Sequence, residues 1–331
     1  MKAIQIQRTG GPEVLEYVEI PTPVASASQV LVRAHTIGVN MPEVLVRRGL
    51  YRWSPPFPAI PGIEMSGIVE AVGADVRAFR VGQPVYVSAR ELTQRGGCYA
   101  EYIAVDQQGL YALPEGVDLE SVAALSGYQV AWHLLHNATR GFRFDSVLVT
   151  AAGGGIGSAC VQLARAAGKR VIAVAGSDKK VAFARSQGAE GAINYRTEDV
   201  TARVKELTQG RGVDLLLDSV GGKEFPRLFD CLDILGMLVL YGHLGGWPDA
   251  AGVFNAMEGQ MGRSVALRLF SMHAFDHDPR ARHECTAALL DLLGCGAIKP
   301  VIHERLPLAD AARAQAMLES GTVIGKVVLK P

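Results

Sequence analysis

The chain has 331 residues, a length that suggests about two domains. Its 33 basic and 33 acidic residues cancel to zero formal charge, which argues against nucleic acid as the main partner, and 49% hydrophobic residues argue against a disordered chain. The sequence predicts neither a signal peptide nor a membrane span, since no stretch reaches the ~18 apolar residues that a span needs. Five cysteines without a Cys-x-x-Cys pair predict no disulfide framework, so we expect a cytoplasmic protein.

The first predicted region extends to about Ser126 and consists of short apolar runs broken by Gly and Pro. Residues 29–34 and 67–72 alternate polar and apolar positions as strands do. This spacing predicts a β-rich, barrel-like region.

The second predicted region, from Trp132 to about Tyr241, alternates apolar runs with helical segments. This alternation predicts an α/β fold with a doubly wound parallel sheet. The expected strands are residues 146–151, 170–175, 191–193, 213–217 and 237–241. The remaining stretch predicts helices at 280–293 and 308–318, an apolar run at 298–303 and a closing strand at 325–329.

A glycine-rich turn follows the first strand of the parallel region. Residues 151–157 are Ala-Ala-Gly-Gly-Gly-Ile-Gly, and a helical stretch follows at 158–167. This order places backbone N–H groups and a helix N-terminus against a pyrophosphate, where their partial positive charge favours an anion. The strict Gly-x-Gly-x-x-Gly pattern is incomplete, because Ala152 takes the place of the first glycine. In its strand–turn–helix setting the turn still predicts a dinucleotide site.

The end of the next strand bears on the choice of cofactor. An NAD site usually has Asp or Glu there to accept from the ribose 2′-hydroxyl, whereas this strand ends in Gly176, Ser177, Asp178, Lys179 and Lys180. A hydroxyl and ammonium groups suit a 2′-phosphate, so the sequence predicts NADPH. The alternative is that the lysines form a solvated first helical turn and that Asp178, as a helix cap, repels the phosphate.

Several motifs in order carry a family resemblance: residues 38–40 with 48–51, 61–67, 151–157, 174–177, 193–195, 218–221 and 325–328. On these residues the chain resembles the zinc-independent quinone oxidoreductases of the zeta-crystallin type, in the medium-chain dehydrogenase/reductase superfamily. The resemblance covers nearly the whole chain. It implies a GroES-like β-rich catalytic domain at 1–127 and 272–331 and a Rossmann NADPH-binding domain at 128–271. It also implies an active site in the cleft between them.

The resemblance and the glycine turn together imply a set of cofactor-binding residues. The turn contributes backbone groups, the second strand end contributes a hydroxyl and an ammonium group, and the resemblance adds loop residues near the adenosine and the nicotinamide. The set is Gly154, Gly155, Ile156, Gly157, Gly176, Ser177, Lys180, Tyr195, Ser219, Gly242, His243, Leu244, Phe270, Ser271, Gly325 and Lys326.

No metal site is predicted. Zinc alcohol dehydrogenases of this superfamily use Cys and the His of a Gly-His-Glu motif, whereas this chain has Asn40 in the first position and Ile63 in the second. An Ile side chain cannot bind zinc, and a catalytic zinc needs three protein ligands. A second cluster, His273, His277 and His283 with Asp276 and Asp278, matches no ligand spacing and is interpreted as a solvated loop.

Without zinc, hydrogen-bond donors must stabilise the charge that develops on a reduced carbonyl oxygen. An activated acceptor, a quinone or an α,β-unsaturated carbonyl, needs less help than a plain ketone. The expected activity is therefore NADPH-dependent reduction of such an acceptor. The candidate catalytic donors are the Asn40 amide and the Tyr51 hydroxyl, although Tyr51 can equally be a packing aromatic beside Trp53. Val130 stands where the family has a threonine near the nicotinamide, which removes one hydrogen bond.

Two other functions stay open. An enoyl thioester reductase would use Tyr51 with a basic patch of Arg47, Arg48 and Arg52 for the phosphates of coenzyme A or a carrier protein. A non-catalytic, crystallin-like protein that retains NADPH and contacts RNA is the third possibility. The resemblance also implies a homodimer that pairs through an edge strand of the cofactor domain, for which residues 238–240 are the candidates.

Overall fold

The computed structural model describes all residues, Met1–Pro331. The chain forms two compact units: unit 1 consists of Met1–Ser126 with Leu289–Pro331, and unit 2 consists of Gly127–Ala288. Residues 272–288 therefore group with unit 2, whereas the sequence-based boundaries place them with the first domain. The Gln129 amide donates to Thr286 Oγ1 (3.0 Å) and His133 stacks on Phe275, which ties this segment to the first helix of unit 2.

Unit 1 begins with seven strands and two helices. In chain order they are β1 (Lys2–Gln5), β2 (Glu16–Glu19), β3 (Gln29–Val39), α1 (Met41–Arg47), β4 (Glu64–Val72), β5 (Pro84–Ser88), β6 (Tyr102–Asp106), β7 (Leu110–Ala112) and α2 (Leu119–Val122).

Unit 2 alternates helices with strands. In chain order they are α3 (Leu125–His136), whose first two residues belong to unit 1, β8 (Ser146–Val149), α4 (Gly155–Ala166), β9 (Arg170–Ala175), α5 (Asp178–Ser186), β10 (Gly191–Asn194), α6 (Val200–Leu207), β11 (Val213–Asp218), β12 (Leu232–Leu240), α7 (Ala250–Gly259), β13 (Ala266–Leu269) and α8 (Pro279–Gly294).

The chain then returns to unit 1 with β14 (Ile302–Pro307), α9 (Ala311–Glu319) and β15 (Lys326–Lys330). None of the helices combines the length and the apolar character that crossing a membrane requires. Short 3₁₀ helices cover Pro12–Val14, Ala89–Glu91, Gln107–Gly109, Phe225–Cys231, Met261–Arg263, Met272–Phe275 and Leu308–Asp310.

The main sheet of unit 1 has the order β14-β15-β3-β4-β5-β7, and β6 also pairs with β3. The long strand β3 pairs antiparallel with β6 along its first half and with β15 at its end, where Val327 lies opposite Val39. The start of β4 lies alongside the same end of β3, with Met65 opposite Ile37. As a result, the residues that follow β3, precede β4 and begin β15 are brought together.

The sheet of unit 2 is entirely parallel, with the order β10-β9-β8-β11-β12-β13. Its central strands are buried on both faces, which explains their continuous apolar runs. The predicted doubly wound sheet is confirmed. The strand order reverses between β8 and β11, and such a switch point opens a crevice at the carboxyl ends of the strands. The glycine turn after β8 lies at this edge.

The structure departs from the predicted elements in three places. Strand β13 is absent from the prediction because its four residues, Ala-Leu-Arg-Leu, are too short to show a period. Since β13 covers one side of β12, residues 238–240 are interior and at most 4% exposed, and the suggestion that they form an edge for pairing is wrong. The apolar run at 298–303 is mostly a loop that leads into β14.

Candidate functional site

The glycine turn of unit 2 presents an open helix N-terminus. Gly154 is the residue that precedes α4, and its missing side chain leaves the first N–H groups of this 12-residue helix without a side-chain cap. A Cβ on Gly157 would collide with the Ala151 carbonyl oxygen, so this position accepts only glycine if the turn is to keep its shape. The turn therefore offers backbone donors and the positive end of a helix dipole to an anion.

The neighbouring strand end, after β9, is built around Ser177. Its hydroxyl accepts from the Lys180 backbone N–H (3.3 Å) and so caps α5. Asp178 is not the cap, contrary to the sequence-based alternative. Its carboxylate accepts instead from the side-chain amide of Asn194 (2.8 Å), at the end of β10. The ring of Tyr195 lies against Gly176, where an added Cβ would be 2.7 Å from the tyrosine hydroxyl.

Two basic side chains converge on this strand end. The Lys180 side chain lies over the glycine turn: a Cβ added to Gly153 would be 2.9 Å from the methylene carbons of Lys180. Burial lowers the pKa of Lys180, and the nearby charge of Arg196 lowers it further. Sequence reasoning missed Arg196, although its place two residues after β10, beside Tyr195, was a usable signal.

We call this set the glycine cradle: residues 153–157 with Gly176, Ser177, Lys180, Tyr195 and Arg196. The Ser177 hydroxyl and the cations of Lys180 and Arg196 lie at the end of β9. The carboxylate there, Asp178, is already hydrogen-bonded to Asn194. These groups fit an adenosine ribose with a 2′-phosphate better than one with a 2′-hydroxyl, because the phosphate needs donors and positive charge. The cradle thus fits NADPH on its own chemistry.

The loops after β11 and β12 are joined by backbone hydrogen bonds. Gly245 N–H donates to the Val220 carbonyl (2.7 Å) and Gly222 N–H donates to the Gly246 carbonyl (2.8 Å). Leu244 N–H donates to the Ser219 carbonyl at 3.2 Å. The ring of His243 stacks on the exposed ring of Trp247, with centroids 4.5 Å apart. The predicted residues Ser219, Gly242, His243 and Leu244 therefore lie together in unit 2, in the loops that follow the carboxyl ends of β11 and β12.

The predicted residues after β13 lie at the same edge of the sheet. Phe270 N–H donates to the Leu240 carbonyl (2.9 Å), which continues the pairing between β12 and β13. The Ser271 hydroxyl accepts from the backbone N–H of His273 and caps a short 3₁₀ helix. Both residues thus follow the strand end where the family resemblance expects the nicotinamide.

In unit 1, four segments bring together a second group of polar side chains, which we call the polar cluster: Asn40, Glu43, Glu64, Ser126 and Lys326. Lys326 donates to Asn40 Oδ1 and to Glu64 Oε1. The Ser126 hydroxyl lies 2.8 Å from Asn40 Oδ1 and 2.7 Å from Glu64 Oε1. The backbone N–H of Ser126 donates to Glu64 Oε2 (2.7 Å). Glu64 is fully buried and Lys326 is nearly so.

The Asn40 amide is fully engaged within the polar cluster. Its Nδ2 donates to Glu64 Oε1 (3.1 Å) and to Glu43 Oε1 (3.3 Å), while its Oδ1 accepts from Lys326. Asn40 precedes α1 but makes no capping hydrogen bond, so its side chain is committed to the cluster. Both amide hydrogens thus face carboxylates, which leaves none for a further acceptor.

Glu43 is the most unusual member of the cluster. It is 1% exposed, and its Oε1 accepts from the Ile63 N–H (3.1 Å) as well as from Asn40. Its Oε2 is buried with no hydrogen-bond partner. Burial raises the pKa of Glu43 to about 7, although the charge of Lys326 acts in the opposite direction. Sequence reasoning missed Glu43, Ser126 and also Glu64, which was noted only as part of the motif at 61–67. The signal for Glu43 is an acidic residue among the apolar residues of α1.

Tyr51 lies beside Trp53, with ring centroids 5.6 Å apart, and packs against the core of unit 1. The basic patch suggested beside it is not present as expected. Arg47 is 1% exposed and donates to Gln315 Oε1, to the Gly10 carbonyl and to Glu319. Arg48 is also paired with Glu319. An Arg47 so deeply buried cannot bind a phosphate from solution.

The His, Cys, Asp and Glu side chains are the groups in this chain that could bind a metal ion. No set of three or more His, Cys, Asp or Glu side chains is arranged to hold an ion. Within the histidine-rich segment, His273 Nδ1 lies 2.9 Å from Asp276 Oδ2, which accounts for this pair as a local contact. Ile63 contributes its backbone N–H to Glu43.

Two family models match the chain: "Alcohol dehydrogenase GroES-like domain" over residues 26–115 and "Zinc-binding dehydrogenase" over residues 155–281. The chain is 34% identical to the quinone oxidoreductase of Pseudomonas aeruginosa, over 100% of this chain and 99% of the relative. The crystal structure of Escherichia coli quinone oxidoreductase complexed with NADPH superposes with a TM-score of 0.87 at 29% identity, with full coverage of both chains. A 2-haloacrylate reductase structure superposes with a TM-score of 0.81 at 29% identity, covering 100% of this chain and 99% of its own.

Proposed function

Because the chain belongs to the quinone oxidoreductase family of the medium-chain dehydrogenase/reductase superfamily, we propose that it is an NADPH-dependent reductase of quinones. The observation that carries the cofactor choice is the glycine cradle, in which Lys180 and Arg196 converge beside the Ser177 hydroxyl. The related E. coli enzyme was crystallised with NADPH, which agrees with this choice.

Bound NADPH would supply a hydride, that is, two electrons and one proton. The quinone receives the hydride, negative charge collects on a carbonyl oxygen, and one further proton from solvent completes the hydroquinone. The protein must therefore bind the cofactor, orient the acceptor and stabilise that negative charge. The backbone donors of residues 154–157 would hold the pyrophosphate, and the loops around Ser219, Gly242 and His243 with Phe270 and Ser271 would lie beside the nicotinamide.

We assign the stabilisation of charge on the acceptor oxygen to Lys326. An ammonium group has three N–H donors, and Asn40 and Glu64 account for two of them. We propose that the third donates to the acceptor oxygen. Asn40, whose own hydrogens are engaged, then acts by holding the Lys326 ammonium in place. Gly325, which precedes Lys326 with φ +78°, lets the chain enter β15 at this point.

Tyr51 is the second proposed donor to the acceptor. Its ring packs against the unit 1 core and against Trp53, which fixes the position of the hydroxyl. A phenol can orient a carbonyl oxygen by donating a hydrogen bond without carrying charge. Its contribution should therefore be smaller than that of Lys326.

An α,β-unsaturated carbonyl compound is the second class of acceptor. The similarity to a 2-haloacrylate reductase favours it, because a haloacrylate is an activated alkene conjugated to a carboxylate. The same charge stabilisation serves both acceptors, since each places negative charge on a carbonyl or carboxyl oxygen. The enoyl thioester alternative loses support, because burial of Arg47 removes part of its phosphate patch.

We also propose a homodimer that pairs through β13 in a cytoplasmic setting. Strand β13 is an edge of the unit 2 sheet, and its last residue, Leu269, is 65% exposed. Unpaired N–H and C=O groups on such an edge favour pairing with a second copy. The five cysteines are all free thiols, as a reducing compartment maintains them.

The test of the proposed function is NADPH oxidation with an ortho-quinone, a short enone and a short enoyl thioester, compared as kcat/KM. Preference for the quinone or enone is the expected result. Preference for the thioester would transfer the protein to the enoyl reductase branch. Failure to oxidise NADPH with any acceptor, together with tight NADPH binding, would indicate the non-catalytic protein, and RNA binding that NADPH abolishes would establish it.

A further inference from the structure

The charges of the polar cluster do not balance if every group is ionised. Glu43 and Glu64 are both buried, and Lys326 is the cation whose charge acts on Glu43. Two carboxylates against one ammonium would leave one net negative charge out of water. Burying an uncompensated charge is costly, so one carboxyl group should hold a proton.

The hydrogen bonds indicate that the proton belongs to Glu43. Glu64 receives donors at both oxygens, from Lys326 and Ser126 at one and from the Ser126 N–H at the other. Glu43 receives donors at Oε1 only, and its buried Oε2 has none. A buried carboxyl group with fewer donors is the one whose ionised form is disfavoured, so it is the one that keeps the proton. The direction of its pKa agrees with this assignment.

The other titratable groups around the two carboxyls do not change the balance. Cys98 and Tyr99 lie close enough for the charge of Glu43 to act on them, and the Tyr86 hydroxyl donates to Glu64 at 3.3 Å. Burial raises the pKa of all three well above the usual range, so they stay neutral near pH 7. Glu43 is therefore the group whose proton sets the net charge of the cluster.

We propose that Glu43 is a positioning residue that holds a proton during turnover, which keeps the polar cluster neutral and reserves the Lys326 charge for the acceptor oxygen. Loss of that proton adds one negative charge beside Asn40 and Lys326. This charge opposes the negative charge that develops on the acceptor, so hydride transfer slows. The inference rests on the proposed function, because it takes Lys326 to act on the acceptor.

The kinetic test compares wild type with Glu43→Gln, which mimics the protonated carboxyl. With NADPH saturating, wild-type kcat should fall above about pH 7, approaching tenfold per pH unit. Glu43→Gln should lack this decline. The matched control is Glu70→Gln, a surface carboxylate on β4 paired with Arg33, which should keep the wild-type profile. A wild-type decline that persists unchanged in Glu43→Gln would overturn the proposal.

A second readout does not depend on activity. The pKa of Glu43 is about 7 when folded, against a usual 4.5, so its proton favours the folded state most below pH 4.5 and loses that effect as pH rises to about 7. The unfolding free energy of wild type, relative to Glu43→Gln, should decline across this window. A constant difference would show that Glu43 is ionised when folded, and would contradict the proposal.

Failure of the proposal and failure of the proposed function remain distinguishable. The stability difference without any quinone or enone turnover would contradict the function and, with it, the role of Glu43 in that reaction. The stability difference with turnover, but with the same kcat profile in both proteins, would overturn the positioning role alone. If Glu43→Gln does not fold, Glu64→Gln replaces it: Lys326 is then left to stabilise ionised Glu43, so the decline in kcat should move to lower pH, and no movement would overturn the proposal.

Discussion

The glycine cradle of unit 2 and the polar cluster of unit 1 handle charge in opposite ways. The cradle is built from backbone donors and cations, and burial together with the nearby charge of Arg196 lowers the pKa of Lys180. In the cluster Glu43, Glu64 and Lys326 are buried, and the one ammonium is matched by the Glu64 carboxylate at hydrogen-bond distance. The cradle thus carries positive charge that a phosphate can neutralise, while the cluster is already close to neutral.

This difference in charge indicates which step of the reaction each region can affect. Excess positive charge favours binding of an anion, so the cradle should determine cofactor affinity and choice. A neutral and pre-organised cluster gains little from binding an uncharged quinone, but it can respond when negative charge appears during the reaction. Substitutions in the cradle should therefore change the Kd of the cofactor, and substitutions in the cluster should change the rate of hydride transfer.

The largest expected effect is in the cluster. Lys326→Gln removes the charge but keeps an amide that can donate to Glu64, and it should lower kcat by roughly 100- to 1,000-fold, as the loss of one donor to a developing oxyanion does. Steady-state kinetics with an ortho-quinone measures this effect. Lys330→Gln on the same strand is the control, because Lys330 pairs with Glu120 away from the cluster. An equal loss in both variants would contradict the assignment.

The next effect is in the cradle. Lys180→Ala removes the ammonium group that we propose contacts the 2′-phosphate, and should weaken NADPH binding by roughly ten- to hundredfold, while NADH binding changes little. Fluorescence titration with each cofactor measures the two Kd values. Lys179→Ala is the matched control, since the neighbouring lysine is exposed on the first turn of α5. Equal losses for both cofactors would rule out the 2′-phosphate role.

The smallest effect concerns the hydroxyl of Tyr51. Tyr51→Phe removes the neutral hydrogen bond that we propose Tyr51 donates to the acceptor, of about 0.5–1.5 kcal/mol, so kcat should fall by a few-fold to about tenfold with an unchanged NADPH Kd. The measurement is kcat with a quinone and with an enone. Tyr17→Phe, a change at an exposed tyrosine on β2, controls for the loss of a phenol. Unchanged kinetics with every acceptor would leave Tyr51 as a packing residue.

The cradle was largely predictable from sequence because its parts are close in the chain. The turn at 151–157 follows one strand and Gly176 to Lys180 follow the next, so strand–turn–helix order alone predicts that they meet at one sheet edge. Arg196 was missed because the family motif at 193–195 ends one residue before it. The role of Asp178 was misjudged because the sequence does not reveal its hydrogen bond to Asn194.

The cluster was predictable only in part. Asn40 and Lys326 were identified through the family resemblance, but their contact depends on the antiparallel register that places Val327 opposite Val39. No local pattern encodes a register between strands almost 290 residues apart. The proton on Glu43 depends in addition on burial, which composition does not reveal. For the same reason Arg47 was taken for a surface cation, whereas packing against Gln315 and Glu319 buries it.

The division between the two regions is tested most directly by stopped-flow measurement of NADPH oxidation in Lys180→Ala and Lys326→Gln side by side. The same traces, recorded with a single ortho-quinone, give the limiting rate of hydride transfer and the NADPH concentration that half-saturates this rate. We expect Lys180→Ala to raise the half-saturating NADPH concentration without lowering the limiting rate. We expect Lys326→Gln to lower the limiting rate without raising the half-saturating NADPH concentration. If both variants changed both quantities alike, the assignment of cofactor choice to the cradle and of charge stabilisation to the cluster would be contradicted.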